Sequence, residues 1–368
     1  MKIDIKHFAL AAAGATMLLT SCIGDLDTLP LNPSDSTSET VYGKDENGYL
    51  AGLTKLYFNF VSNDTTDLQV SDGGASELIR AFWTIQEVTA DACKCAWEND
   101  AWVRAMNTDT WSDADNDATY AVYVRTLQGI AYVNEYLRQT ASDKLSDRGV
   151  SSELAARIQS FRAEARFLRA YYYFLLFRQY GPVFIWGDQI ADETIDAKSV
   201  DRHTVQENID FMVGELDAIK NDLPVRTDDI GIDGKQWAGR VTRGAALALK
   251  SRILLYAASP LYNGCDLYKG QMQNIRGEFL FPQSKDETKW EAAAQAAWDV
   301  IELAETGLYD LYKDTEQTDE FTRYMSSYQG VRLKPWNKET IWGWWSRSGS
   351  YSWLGGTGGL LACARSEE

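Results

Sequence analysis

The clearest pattern along the chain is an apolar stripe in "IQSFRAEARFLRAYYYFLLFRQYGPV", residues 158–183. Ile158, Phe161, Ala165, Leu168, Tyr172 and Leu175 recur at spacings of 3, 4, 3, 4 and 3. That period puts them on one face of an α-helix. Arg162, Arg166 and Arg169 form a second line on the same helix, and Gly181-Pro182 predicts its end. The run Tyr171, Tyr172, Tyr173, Phe174 suits core packing better than a cofactor pocket.

A second helix is predicted over 240–264, "RVTRGAALALKSRILLYAASPLYNG". Thr242 can cap it, Pro260 ends it, and Gly244, Ala245, Ala246 and Ala248 allow another helix to come close. A third, over 289–307, closes at Gly307, with Trp290, Ala293, Ala294, Ala297, Val300 and Ile301 as its apolar stripe. Weaker helical patterns precede these, at 118–140 and 204–222. Paired helices with small residues at the crossings predict an all-α fold, a solenoid of tetratricopeptide-like hairpins. Irregular loops such as 184–203 and 223–239 interrupt the period, and no strong strand pattern is present. Stacked hairpins of this type bury a continuous core and leave concave surfaces for binding.

The N-terminus reads differently. Lys2 and Lys6 precede an apolar run, Phe8 to Thr20, which ends in "LTSC". The run falls short of the roughly 20 apolar residues that a spanning helix needs. A basic start, a short apolar stretch and small residues before a cut site describe an export signal, residues 1–21. Leu19, Thr20 and Ser21 ahead of Cys22 resemble a bacterial lipobox. Cys22 is then the lipidated first residue of the mature chain, and two or more acyl chains anchor it stably. Residues 22–40, rich in Ser, Thr, Pro and Asn from Thr28 onward, read as a tether to a folded part spanning 41–368.

Composition narrows the function. The net charge is −17 and no basic stripe stands out, which argues against nucleic acid as a partner. Two histidines are present, and His7 leaves with the signal. His203 alone then remains, which excludes a multi-His zinc site. Its setting, "VDRHTVQEN", reads as a polar position at a helix start. Cys93 and Cys95 are too close for an easy bridge to each other, and pairing of either with Cys265 stays open. No cofactor or metal motif is found.

The 13 Trp and 19 Tyr change the picture most. Many lie among Gly, Asn, Asp and Ser, as in "CAWENDAW" and "WGWWSRSGSYSW". Aromatic residues in such settings offer large, rigid contact area. Sugars present flat CH faces rimmed by hydroxyls, so a sugar site combines aromatic platforms with planar polar groups. Trp97, Asn99, Asp100 and Trp102 have that composition. Tyr262 and Asn263, on a turn after the "AASP" helix end, are expected to be exposed and to join them. Arg80 is a candidate hydroxyl donor, and Trp336 with the 342–353 group a further ligand- or transporter-facing surface.

Several segments carry a family resemblance. "AEARFLRAYYYFLLFRQYGPV" (163–183), "RVTRGAALALKSRILLYAASPLYNG" (240–264), "KWEAAAQAAWDVIE" (289–302) and "KETIW" (338–342) resemble signature segments of the SusD/RagB family. "SCIGDLDTLP" resembles its lipidated start, and "IQEVTADAC" (85–93) a part of its first globular portion. The resemblance implies a surface-facing outer-membrane lipoprotein that binds glycans or other nutrients. It implies a SusC-like TonB-dependent transporter as partner, four tetratricopeptide-like hairpins with an irregular ligand-bearing part, and binding without catalysis. Val183-Phe184 departs from the family's Val-Pro after the turn. The chain ends in "GGLLACARSEE" where family members continue, so it reads as a shortened member lacking a C-terminal third. Two rival functions remain. A surface glycosidase needs two carboxylates roughly 5–9.5 Å apart, a property of the fold rather than of a local motif. A scaffold would bind protein or peptide only.

Overall fold

A computed structural model describes residues 41–61, 105, 108–110, 112, 117–189, 199–226, 239–334 and 336–342. Eight α-helices lie among them: α1 (Glu46–Val61), α2 (Asp117–Gln139), α3 (Ser142–Asp147), α4 (Ser152–Tyr180), α5 (Val205–Ile219), α6 (Arg243–Ala258), α7 (Thr288–Leu303) and α8 (Glu320–Leu333). Extended pairing among the described residues is limited to one isolated bridge, Gln273 with Phe279. The all-α reading is therefore correct, and so is the tetratricopeptide-like stacking. Helix α2 packs on α4, α4 on α5, α5 on α6 and α6 on α7, while α1 lies against both α2 and α4.

Helix α4 is the centre of the core. The Ser151 side chain accepts a hydrogen bond from the Leu154 N–H at its start. Gly181 ends it with φ 72° and ψ −152°, a combination that glycine adopts and a residue with a Cβ does not. All six residues of the anticipated stripe are buried. So are Phe167, Tyr173, Phe174, Leu176 and Phe177, because α4 has neighbours on nearly every side. The tyrosines there are structural. Tyr172 donates to the Leu56 carbonyl at 2.6 Å, and the Tyr173 hydroxyl accepts from the Trp186 N–H at 2.8 Å.

A buried polar contact ties three segments together. Arg240 is ion-paired with Glu164 of α4, and the Tyr57 hydroxyl of α1 donates to Glu164 Oε2 at 2.6 Å. The Val241 N–H in turn donates to the Tyr57 hydroxyl at 2.9 Å. Burial pushes the Glu164 carboxyl above its usual range despite Arg240 beside it.

His203 sits just before α5, where Thr204 and Glu207 form a reciprocal capping box. Its Nδ1 accepts from the Ile185 N–H at 3.0 Å, so it pins the chain leaving α4 to the start of α5. Thr242 caps α6 and the helix stops at Ala258, just before Pro260, as the sequence predicts. Helix α7 differs from expectation. Of the anticipated stripe Ala293 is buried and Ala297 and Val300 are half-buried, whereas Trp290, Ala294 and Ile301 are exposed and Ala296, outside the stripe, is buried instead.

Helices α1 and α8 carry no stripe clear enough to read from sequence. Around α8, Phe321, Tyr324, Tyr328 and Leu333 are exposed, Tyr328 at 84%. No described helix is long and apolar enough to cross a membrane.

Candidate functional site

The arginine line of α4 opens on a cleft of about 470 Å³. Its walls are Asn134, Leu137 and Arg138 of α2, Arg162, Arg166 and Arg169 of α4, Glu215 of α5, and Asp188 from the loop after α4. Arginines at spacings of 4 and 3 share one helix face. The hairpin stacking then brings α2 to one side of that face and α5 to the other.

The floor is a satisfied network. Arg169 donates through Nε at 3.0 Å and Nη2 at 2.7 Å to Glu215 Oε2. Its Nη1 reaches Asn134 Oδ1 at 2.9 Å, the Gly187 carbonyl at 3.1 Å and Asp188 Oδ1 at 2.7 Å. Asn134 donates its amide to the Gln189 carbonyl at 2.6 Å. Arg166 pairs with Glu215 Oε1 at 2.7 Å, and the hydrogen bond to Glu215 holds its guanidinium pKa above the ordinary value. At the rim, Arg138 forms a two-point pair with Glu135 at 2.9 and 2.6 Å.

Arg162 is different. Its Nη1 donates to the Leu137 carbonyl at 2.6 Å and to Thr140 Oγ1 at 2.9 Å, which closes the C-terminal turn of α2. It makes no ion pair with a described residue. Burial depresses its pKa, because the surroundings hydrate the charge poorly. The cleft can therefore fix a polar ligand by guanidinium donors and by the Asp188 carboxylate, whose side chain is 89% exposed.

The sequence-derived candidates divide into three groups. Trp97, Asn99, Asp100, Trp102 and Arg80 lie outside the described residues, as does Cys22. Tyr262 and Asn263 are not exposed: they are 4% and 2% accessible. The Tyr262 ring stacks on Phe177 at 4.5 Å and its hydroxyl donates to the Phe177 carbonyl at 3.1 Å. Asn263 exchanges two hydrogen bonds with the backbone of Asp286, at 2.8 and 2.9 Å. Gly264 lets the 284–285 backbone approach where a Cβ would collide. This turn is folded inward, with Tyr262 held on α4 and Asn263 on the Asp286 backbone, so the expected exposure is not found.

Trp336 is 41% exposed, consistent with a surface position. Trp342, first of the 342–353 group, is instead an anchor. Its Nε1 donates to the Gly239 carbonyl at 2.9 Å and its ring meets Phe167 and Tyr171 edge-on at 5.0 and 5.1 Å. The remainder of that group lies outside the described residues. Cys265 carries no disulfide among the described residues, and no metal-holding cluster is found among them. Asn134, Asp188 and Glu215 were not singled out from sequence. The signal that pointed toward them was the arginine line, which on a helix this apolar requires acceptors from elsewhere.

Comparison with known proteins decides the family. Residues 68–255 match the family model SusD-like_3, described as starch-binding and associating with the outer membrane. The chain belongs to the SusD/RagB family. The starch-binding protein SusD of Bacteroides thetaiotaomicron is 27% identical over 278 residues, covering 74% of this chain and 44% of that protein. The solved structure of BT4246 is similar at a TM-score of 0.61 and 26% identity, over 81% of this chain and 50% of that one. A SusD-like protein from Bacteroides fragilis shares the fold at a TM-score of 0.57 and 19% identity, over 87% and 48%. This SusD-family chain thus spans about half the length of the relatives it matches. Every residue lining the cleft falls within the matched segment.

Proposed function

We propose that this SusD-family chain is a cell-surface lipoprotein that captures oligo- or polysaccharide and passes it to a SusC-like TonB-dependent transporter. The observation that carries the reading is the match of residues 68–255 to a starch-binding, outer-membrane-associated family. The helical architecture shared with BT4246 supports it. In this reading Cys22 bears the lipid, residues 22–40 form the tether, and the exported body faces the cell exterior. Trp97 and Trp102 stack on sugar rings while Asn99 and Asp100 hydrogen-bond hydroxyls, with Arg80 and Trp336 as further contacts. The protein binds glycan without turning it over and needs no cofactor.

The test is an affinity-gel and calorimetry screen of the chain against a polysaccharide panel, beside a Trp97→Ala, Trp102→Ala double variant. Binding that disappears in the variant supports the reading. Binding unaffected by the double variant moves the site elsewhere, and release of shortened sugar would establish a glycosidase instead. Absence of any glycan ligand, with co-purification of a transporter, would favour a protein-binding scaffold. A Cys22→Ala variant is expected in the soluble fraction; retention on the membrane would overturn the anchor.

A further inference from the structure

We propose that the arginine cleft between α2, α4 and α5 is a subsite for an anionic group on the glycan, a uronate carboxylate or a sulfate ester, with Arg162 as the contacting residue. This rests on the glycan-binding reading above.

Charge pairing is the first argument. Arg138 is matched by Glu135, and Arg166 and Arg169 by Glu215 and Asp188. Among the described residues Arg162 is the lining arginine without an ion pair, with Asp188 acting on it only at longer range, on a chain of net −17. Geometry is the second. The two bonds from Arg162 Nη1 hold its guanidinium in place, and its Nε and Nη2 donate to no described residue. A fixed guanidinium with an unused edge presents two parallel N–H donors, the arrangement that receives a planar anion in two-point fashion. Because the fork is already pinned, little side-chain freedom is lost on binding.

Room is the third argument. The cleft volume of about 470 Å³ falls in the range of small-ligand pockets, roughly 300–1,000 Å³. Among the described residues Asp188 at the rim accepts from Arg169 through Oδ1 alone, which leaves Oδ2 for a sugar hydroxyl. An anion beside Arg162 would also relieve the unfavourable burial of its charge.

The experiment measures binding of the full-length protein in detergent by calorimetry. The probes are polygalacturonate as carboxylate polymer, carrageenan as sulfate polymer, soluble starch as neutral polymer and free glucuronate. Wild-type protein is expected to bind at least one acidic polymer more tightly than starch, with affinity falling as salt rises. Arg162→Gln is expected to weaken acidic binding about tenfold or more, the size of a lost charge-assisted hydrogen bond. Any binding to starch is expected to stay within twofold. Arg162→Lys keeps the charge and loses the fork, and a severalfold loss is expected; it also serves if the Gln variant does not fold, as checked by circular dichroism.

Carboxylate and sulfate sources are told apart by which polymer is bound and loses affinity in the variants. Acidic polymers bound no better than starch, or bound equally by wild type and the folded variants, would overturn the subsite while leaving the glycan reading intact. Glucuronate bound through Arg162 with no polymer bound would uphold the anion subsite and overturn the glycan-capture reading. No binding of any probe would overturn the subsite, and with a silent polysaccharide panel the glycan-capture reading as well.

Discussion

Arg240→Met is the substitution with the sharpest expected signature. Glu164 is fully buried and its side chain is 0% accessible, against 11% for Arg240. Removing the guanidinium leaves a carboxylate whose one remaining partner among the described residues is the Tyr57 hydroxyl. Breaking a buried pair in this way costs about 3–5 kcal/mol, because an unpaired charge stays in a medium that hydrates it poorly. The loss depends on pH in a defined sense. Burial already raises the Glu164 pKa above 4.5, and removal of Arg240 raises it further. A raised carboxyl binds its proton more tightly in the folded state. The deficit is therefore full above the folded-state pKa and shrinks as pH falls toward 4.5.

Denaturant midpoints of wild type and variant at pH 7.5 and pH 5 measure both statements. Adding Glu164→Leu removes the stranded charge, and the double variant is expected to regain most of the stability. About 1 kcal/mol stays lost at the Tyr57 hydroxyl. A single variant that loses less than about 1 kcal/mol, or loses the same amount at both pH values, would refute the reasoning.

Tyr262→Phe removes the buried hydroxyl's hydrogen bond to the Phe177 carbonyl, which keeps its bond from the Gly181 N–H, and retains the stacked ring, so a loss of about 1 kcal/mol in denaturant unfolding is expected. Its glycan affinity is expected to equal that of wild type; a loss of affinity would return Tyr262 to the ligand site. Asp319 caps α8, and its bond from the Thr322 N–H holds its carboxyl below the ordinary value of 3.8. The cap is thus fully formed above that value and is lost as pH falls through the lowered one. The Thr322 amide shift in NMR is expected to report a midpoint below 3.8. Tyr328→Ser is expected to change stability by less than about 0.5 kcal/mol, since the side chain is 84% exposed. A larger loss by thermal melting would mean that its face is covered.

What the sequence determined by itself is the local and periodic part. The stripe of α4, its Gly181 stop, the Thr242 cap and the signature segments were legible because each is set by residues within a turn or two of one another. The bland readings of His203 and of the Tyr171–Phe174 run also held, although the partners that fix them, Ile185, Leu56 and Trp186, come from farther along the chain. Tertiary structure decided what depends on distant partners. "YNG" after a helix end has the composition of a surface turn, yet Tyr262 and Asn263 are buried because Phe177 and Asp286, far away in sequence, lie against them. The anticipated stripe of α7 held only in part: α6 meets it at Ala293 and at Ala296, outside the stripe, while Trp290, Ala294 and Ile301 stay exposed. Three evenly spaced arginines look equivalent along α4. Which of them has a counter-ion is determined only when α5 places Glu215 beside Arg166 and Arg169, while Arg162 meets the carbonyl end of α2. Charge compensation is a through-space property, and a chain of residues does not state its own distances until it is folded.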